Sequence, residues 1–229
     1  MRNLIAAALL AGTAVAGPAF AADLPYYPPV IEIPDVDYGV AGGLYLRGSV
    51  AGGAWWAENG QNCACVISFD KMGYGYSLGA GFGYDSGHGI RADVTLDYLS
   101  YGGLHTTTGH DVNLRSGLAL ANIYYDFNLS GDGYGAGGFG AYVGAGLGVA
   151  KNYSEVMTGS FQNAWGTSLE GAGAVMAGVS YDFGSYVADV GYRGIYMNKV
   201  MSQPDNLANA YLINNNFIHE LRTSLRYRF

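Results

Sequence analysis

Three features of the amino-acid sequence predict an all-β fold, an eight-stranded antiparallel transmembrane β-barrel with short periplasmic turns and longer extracellular loops. From Gly43 onward, apolar and polar residues alternate with a period of two in eight segments, as in strands with two unlike faces. The connections between these segments alternate between short and long. The composition, with 37 Gly, 20 Tyr and only 13% charged residues, suits strands that turn one face to lipid and crowd the other.

Residues 1–21 have the layout of a secretory signal peptide. Arg2 precedes an apolar run, and the small residues Ala19 and Ala21 flank Phe20 at the expected cleavage site. The alternative, an uncleaved membrane helix, is disfavoured because the run is shorter than the roughly 20 residues that a spanning helix needs. We therefore predict an exported protein.

Residues 22–42 separate the signal peptide from the barrel, which is predicted to cover residues 43–229. Four of these residues are prolines. Proline lacks the amide donor that a sheet requires and is excluded from central strands. The segment is therefore predicted to be an extended periplasmic leader that lies outside the sheet.

Charge and cysteine content limit the possible partners. The net charge of −7 gives no basic footprint, so nucleic-acid binding is not expected. Cys63 and Cys65 are the only cysteines, and either a local disulfide or free or intermolecular thiols fit an exported chain. A metal site would need two further donors, which do not occur at zinc-finger spacing, and no cofactor is predicted.

The first three strand segments alternate cleanly. In residues 43–56, apolar side chains oppose Arg47, and in residues 73–85 aromatic and aliphatic side chains oppose glycines. In residues 89–101, apolar side chains oppose Arg91, Asp93 and Asp97. Each of these segments has one face for lipid and one for the interior.

The fourth segment, residues 112–127, is less regular. Ile123 and Tyr125 share one parity, whereas Leu118 and Leu120 lie on the other. Either a β-bulge intervenes or the two leucines point inward, and the sequence does not decide between these alternatives.

The last four segments return to simple alternation. They cover residues 138–151, 168–183, 186–197 and 217–229. The first of them opposes aliphatic residues to glycines, and the last, FIHELRTSLRYRF, opposes an apolar face to a face that carries Glu220 and three arginines.

The connections predict which rim faces outward. Residues 86–88, 130–137 and 184–185 form short turns, whereas residues 57–72, 102–111, 152–167 and 198–214 form longer polar loops. Short turns on one rim and long loops on the other are typical of an outer-membrane barrel with both termini on the periplasmic side.

The inward faces predict an ion-pair network inside the barrel. Eight strands enclose an interior just wide enough for side chains. Charges taken out of water must be paired, and the planar Arg fork suits carboxylates. The predicted lumen charges are Arg47, Arg91, Asp93, Asp97, Glu170, Asp182, Asp189, Arg193, Glu220, Arg222, Arg226 and Arg228. Inward glycines on the second and fifth segments are expected to leave room for long side chains arriving from the third, seventh and eighth.

Aromatic residues gather at the predicted periplasmic strand ends, where amphipathic rings favour the membrane interface. They are Tyr84, Tyr125, Phe127, Tyr181, Phe183, Tyr186, Tyr227 and Phe229.

The ending AFAADLP of the signal segment, the Pro-rich leader, eight Gly- and Tyr-rich strands and the terminal SLRYRF resemble one known family. This is the small outer-membrane β-barrel family of OmpA and OmpX type, in particular the alphaproteobacterial surface antigens related to RopB. The resemblance implies that the barrel-assembly machinery reads Tyr227 and Phe229. It also implies outer-membrane lipid and lipopolysaccharide as surroundings.

Three classes of function were compared. The sequence favours a non-enzymatic outer-membrane surface protein with a plugged lumen, which contributes to envelope integrity and surface display; the alternative is a narrow porin-like channel. An enzyme acting on lipid A would need a nucleophile with a His base, but His219 and Glu220 face opposite sides of one strand. His105 and His110 share a loop without forming a convincing metal site. The oligomeric state and the ligands of the loops stay open.

Overall fold

A computed structural model describes residues 42–62, 65–130, 137–159, 161–201 and 211–229. The predicted signal peptide, nearly all of the predicted leader and Cys63 lie outside these ranges. Within the described ranges, no helix is long and apolar enough to cross a membrane.

Ten antiparallel strands form a single sheet in the described residues. They are β1 (Gly43–Asn62), β2 (Cys65–Ile67), β3 (Phe69–Lys71), β4 (Gly73–Asp85), β5 (Ile90–Thr106), β6 (Asp111–Asn128), β7 (Gly138–Thr158), β8 (Phe161–Asp182), β9 (Tyr186–Met201) and β10 (Tyr211–Arg228). The eight long strands pair in chain order, and β10 pairs with β1 to close the ring. The predicted eight-stranded antiparallel barrel is confirmed, with the short strands β2 and β3 added between β1 and β5.

The ring is staggered by ten residues. Starting at Trp56 of β1, the paired residues pass through Phe217 and Tyr196 and return to β1 at Leu46. The return point thus lies ten residues from the start, from position 56 to position 46. A stagger of this size tilts the strands by roughly 40° to the barrel axis.

Strict alternation sorts the side chains into an apolar outer face and a polar inner face. On β10, Leu221 and Leu225 are 68% and 52% exposed, whereas Glu220, Arg222 and Arg226 are at most 3% exposed. The same alternation holds on the other long strands, as the sequence predicts.

Strand β6 settles the question left open for the fourth segment. It pairs without a register shift with β7, and Leu118 and Leu120 are each 1% exposed. Both leucines therefore point into the barrel, and no bulge lies beside them. The irregularity lies in β5, between Tyr101 and Leu104, where Gly103 has a φ of 76°.

In the described residues, much of the chain predicted as long loops is strand, so the predicted bounds of these loops are wrong. β7 continues to Thr158 and β8 begins at Phe161, so strands cover most of the predicted loop 152–167. Likewise, only residues 107–110 separate β5 from β6. Neighbouring strands satisfy the backbone in this extension, so its polar side chains reflect an outer face in water and not a loose chain.

The parity of the inward side chains changes once near the start of β10, which lies at the upper end of the barrel, opposite the short turns. Ile213 and Asn216 both point inward although they are three residues apart, and Asn215 between them has a φ of 51°. The Asn215 side chain donates to Glu58 and accepts from the Tyr196 hydroxyl. β1 and β9 make the same three-residue step at this level, so adjacent side chains stay on a common face.

Two rows of aromatic side chains bound the apolar outer face. In the lower row, Tyr186 and Tyr227 lie 5.0 Å apart between ring centres. In the upper row, Phe217 lies 5.6 Å from Trp56. Phe217 and Tyr227 are ten residues apart on β10, which corresponds to about 25 Å along the axis of a barrel tilted by about 40°. That distance matches the apolar band of an outer-membrane barrel.

Candidate functional site

The lumen is the candidate site, and its lower half holds a first group of ion pairs. Arg47 Nη1 lies 3.2 Å from Asp93 Oδ2, and Arg47 Nη2 lies 3.7 Å from Asp189 Oδ1. Arg226 Nε lies 3.3 Å from Asp189 Oδ2. The Tyr45 hydroxyl donates to Asp93 at 2.9 Å, so Asp93 receives both a charged and a neutral donor.

Arg91 forms a bidentate ion pair with Asp126 beside this group. Arg91 Nε and Nη2 donate to the two carboxylate oxygens of Asp126, each at 2.9 Å. The Arg91 guanidinium carbon also lies 4.0 Å from the ring centre of Tyr124. The planar fork and the aromatic face together fix this cation, a role that Lys could not fill.

A second group of ion pairs lies higher in the lumen and is centred on Arg193. Arg193 Nη1 lies 2.9 Å from Asp97 Oδ2, and Arg193 Nε lies 2.6 Å from Glu220 Oε2. Arg222 Nη2 lies 3.3 Å from Asp97 Oδ1, and the Tyr101 hydroxyl donates to Glu220 at 2.8 Å. β5, β9 and β10 are thus linked across the interior.

Because the charged side chains of the lumen are buried, each of them needs a partner of opposite charge in the folded barrel. Side chains of the Arg193 group are at most 4% exposed. A buried charge without a partner costs several kcal/mol, whereas a paired and hydrogen-bonded charge is tolerated. Removing one partner of such a pair is therefore expected to cost more than the intact pair adds to net stability.

The structure places the twelve predicted lumen charges in three situations. Nine are at most 4% exposed and lie inside: Arg47, Arg91, Asp93, Asp97, Asp189, Arg193, Glu220, Arg222 and Arg226. Arg228 and Asp182 pair with each other at the lower rim. Glu170 points inward but forms none of the ion pairs found in the described residues.

The predicted ion-pair network left out Asp126 and the tyrosines of the lumen. The YDF motif at residues 125–127 already placed Asp126 inward, which was the available signal. The interior positions of Tyr45, Tyr101 and Tyr124 follow the parity of their strands. Their hydroxyl groups complete the carboxylate shells, a role that alternation alone does not reveal.

A layer of apolar side chains fills the upper half of the lumen, and the sequence analysis missed it. Its fully buried members, each at most 1% exposed, are Trp55, Leu99, Leu104, Leu114, Leu118, Leu120, Ile195, Met197 and Ile218. Trp55 Nε1 donates to Asn216 at 3.1 Å, so the indole has a partner. Part of this layer belongs to segments that were expected to be loops.

Inward glycines provide room for the large interior side chains. A Cβ on Gly79 would lie 2.1 Å from Asp97 Oδ1, and one on Gly144 would lie 2.4 Å from the Tyr124 ring. One on Gly146 would lie 2.1 Å from Asn122 Oδ1. The expected role of the glycines holds, although Tyr124 and Asn122 come from β6 and not from the strands that were expected.

A small cavity remains at the lower mouth of the barrel. It has a volume of about 120 Å³ and is lined by Asp85, Asp126, Asp182, Arg226 and Arg228 together with backbone glycines. Acidic and basic groups thus both face this mouth.

The predicted assembly residues and Cys65 lie outside the lumen. Tyr227 and Phe229 are 43% and 61% exposed on the outer face, and the Phe229 amide donates to Leu44 O at 3.2 Å. Cys65 is exposed, and because Cys63 lies outside the described residues their pairing stays a prediction. No group of three His, Cys, Asp or Glu in the described part of the chain is arranged to hold a metal ion.

Known proteins were similar to this chain in sequence or in structure. No family model matches the sequence. Uncharacterized proteins of Brucella abortus and Brucella suis are 29% and 28% identical over 92% of this chain and 93% of their own length. Among solved structures, Neisserial surface protein A covers 82% of this chain and 97% of its own, with 21% identity and a TM-score of 0.52. Ail of Yersinia pestis aligns at 13% identity and a TM-score of 0.42.

The likeness to Neisserial surface protein A shows the fold alone. The chain has the fold of a small eight-stranded outer-membrane β-barrel. The resemblance to RopB-type surface antigens stays a prediction.

Filling the space at Gly79 should destabilise the barrel. We expect Gly79→Val to lower the free energy of unfolding by about 1–3 kcal/mol, because the new side chain collides with Asp97 in a filled interior. Gly48→Val is the control, since a Cβ there has no neighbour within 4 Å. Urea unfolding of the barrel in lipid vesicles measures both, and equal effects would contradict the packing described for Gly79.

Removing Arg193 should be more costly than removing its whole ion-pair group. Arg193→Met leaves Asp97 and Glu220 without their main partner, and we expect a loss of about 3–5 kcal/mol. The quadruple change Arg193→Met, Arg222→Met, Asp97→Asn and Glu220→Gln should lose less, because no charge of this group remains unpaired. Unfolding midpoints compare the two, and a quadruple variant less stable than the single one would refute this reasoning.

Proposed function

We propose that this chain is an outer-membrane surface protein whose lumen is closed by its own side chains. It contributes to envelope integrity and presents the strand extension and its connections to the outside. The observation that carries the proposal is the content of the lumen, in which a layer of ion pairs lies below a layer of apolar side chains.

The outer face supports the location in the membrane. Between the two aromatic rows, the outward side chains carry no Asp, Glu, Lys or Arg. A sheet surrounded by lipid must close, because its edges would otherwise leave backbone groups without partners. The pairing of β10 with β1 fulfils this requirement.

The two interior layers support the closed lumen. A solute moving between the rims would have to separate Arg193 from Asp97 and Glu220, which lie 2.9 and 2.6 Å away. It would then have to pass Trp55 and Leu118, which are 0% and 1% exposed. Water-filled barrels have polar interiors, and apolar constrictions exclude water.

The arrangement of His219 supports a non-enzymatic role. His219 lies on the outer face, where its Nδ1 is 2.6 Å from the Tyr192 hydroxyl. Glu220 is 1% exposed inside the lumen, bonded to Arg193 and Tyr101. A catalytic His needs an acid that orients it and a nucleophile within reach, and Glu220 faces away from this imidazole.

Conductance tests the closed lumen. The wild-type barrel should show no steady current in planar lipid bilayers. A variant that opens both layers, with Trp55→Ala and Leu118→Ala above and Arg193→Ser and Glu220→Ser below, should conduct ions. The outward changes Leu221→Ala and Leu225→Ala serve as the control and should stay silent. A stable, ion-selective current from the wild-type protein would support the narrow porin-like channel instead.

Assembly is proposed to depend on Tyr227 and Phe229. Phe229 and Tyr227 face outward at the lower rim, where the barrel-assembly machinery could read them. Deleting Phe229 should reduce the amount of folded barrel in the outer membrane, seen as a heat-modifiable band on gels. Phe183→Ala, which removes a second exposed ring of the lower row, should not. Refolded in vitro, the deletion variant should match the stability of the wild type within about 1 kcal/mol, and normal assembly in cells would refute an assembly signal at Phe229.

A further inference from the structure

The basic residues of the described chain divide into two sets. Six arginines face the lumen or its lower rim: Arg47, Arg91, Arg193, Arg222, Arg226 and Arg228. The remaining four, Lys71, Arg115, Lys151 and Lys199, all lie at or above the upper aromatic row. Every Lys or Arg of the described residues that lies outside the lumen and its lower rim is therefore at the same end of the barrel.

Arg115 and Lys151 form a pair of cations on the outer wall. Lys151 of β7 lies opposite Gly117 of β6, and Arg115 lies opposite Tyr153. Arg115 and Lys151 are thus diagonal neighbours on one face, about 7–8 Å apart between their backbones. The Arg115 side chain is 57% exposed, and its acidic neighbour Glu155 lies at 3.9 Å. Lys151 is exposed and makes no ion pair with the described residues.

A groove in the apolar wall runs directly below this pair. It has a volume of about 650 Å³, and its outward lining consists of Leu78, Ala80, Leu96, Tyr98, Gly117 and Ala119. A Cβ on Gly117 would meet nothing within 4 Å, so the top of the groove is bare backbone next to Lys151 and below Arg115. The groove joins the apolar band to the two cations.

Aromatic rings mark the level of this pair as an interface. Tyr153 and Trp165 lie 6.1 Å apart between ring centres, and Trp165 is 58% exposed. Tyr153 lies opposite Arg115. Amphipathic rings favour the depth at which lipid headgroups meet hydrocarbon, so the cations lie where headgroup phosphates would be.

We propose that Arg115, Lys151 and the groove below them bind one lipid whose headgroup carries more than one phosphate. The Arg115 guanidinium donates two hydrogen bonds to one phosphate, and Lys151 neutralises a second phosphate. An acyl chain of the same lipid occupies the groove. The inference rests on the proposed function, since it requires lipid at this wall. Two neighbouring cations and one carboxylate, Glu155 at 3.9 Å from Arg115, leave a net positive charge, which favours a multiply phosphorylated lipid over a zwitterionic one.

Native mass spectrometry of the whole barrel released from detergent micelles tests the site. The probes are a diphosphorylated glucosamine lipid, its monophosphorylated form and phosphatidylcholine. Arg115→Gln and Lys151→Gln should each weaken binding of the diphosphorylated lipid by about fivefold, as expected for one surface charge. Gly117→Leu, which fills the groove without a change of charge, should weaken binding of both glucosamine lipids.

Lys199→Gln is the matched control, because Lys199 is an exposed cation at the same end but not on the groove. It should leave the affinity unchanged. Equal binding of all three lipids, or an equal loss with Lys199→Gln, would overturn the site and reduce these cations to general attraction for headgroups. Membrane fractionation and bilayer conductance of the same samples test the proposed function separately, so the two can fail independently.

Discussion

Closure of the sheet between β10 and β1 is the constraint on which the other features depend. The two strands pair from Tyr45 with Arg228 to Asn62 with Tyr211, so neither ring strand leaves an open edge within the apolar band. The ten-residue stagger then sets the tilt of the strands and the width of the interior. It also decides which side chains of distant segments meet inside.

The interior composition follows from that width. Eight strands leave space for side chains but not for bulk water, so each charge must find its partner on another strand. Arg193 of β9 shows the outcome, since it contacts Asp97 of β5, Glu220 of β10 and Ser77 of β4. Space for such long side chains comes from glycines, as at Gly79 beside Asp97. Glycines are therefore paired with large side chains of the neighbouring strand, as Gly79 is with Asp97.

Alternation predicted the strand number, the two faces of β10 and the inward charges such as Glu220 and Arg222, because one-sided burial imposes a period of two. Alternation did not predict how far the strands extend, the apolar layer in the lumen or the choice of ion-pair partners. Polar residues in 152–158 indicated a loop, yet water can solvate the outer face of a strand equally well. The apolar layer around Trp55 and Leu104 was not predicted either, because part of it belongs to segments that were expected to be loops. Partner choice, such as Arg91 with Asp126, depends on register, which a single sequence does not specify.

At Asn215, strand β10 changes the parity of its inward side chains. Above it, Tyr211 and Ile213 are internal, and below it Asn216, Ile218 and Glu220 are internal. The left-handed backbone of Asn215 absorbs the odd residue while its side chain holds the neighbouring strands together. A peptide epitope that is grafted onto β10 above Asn215 must therefore place its inward residues at alternate positions that include Tyr211. If the alternation of Glu220 were continued instead, the residues meant for the interior would face outward and the antigenic residues would face the lumen.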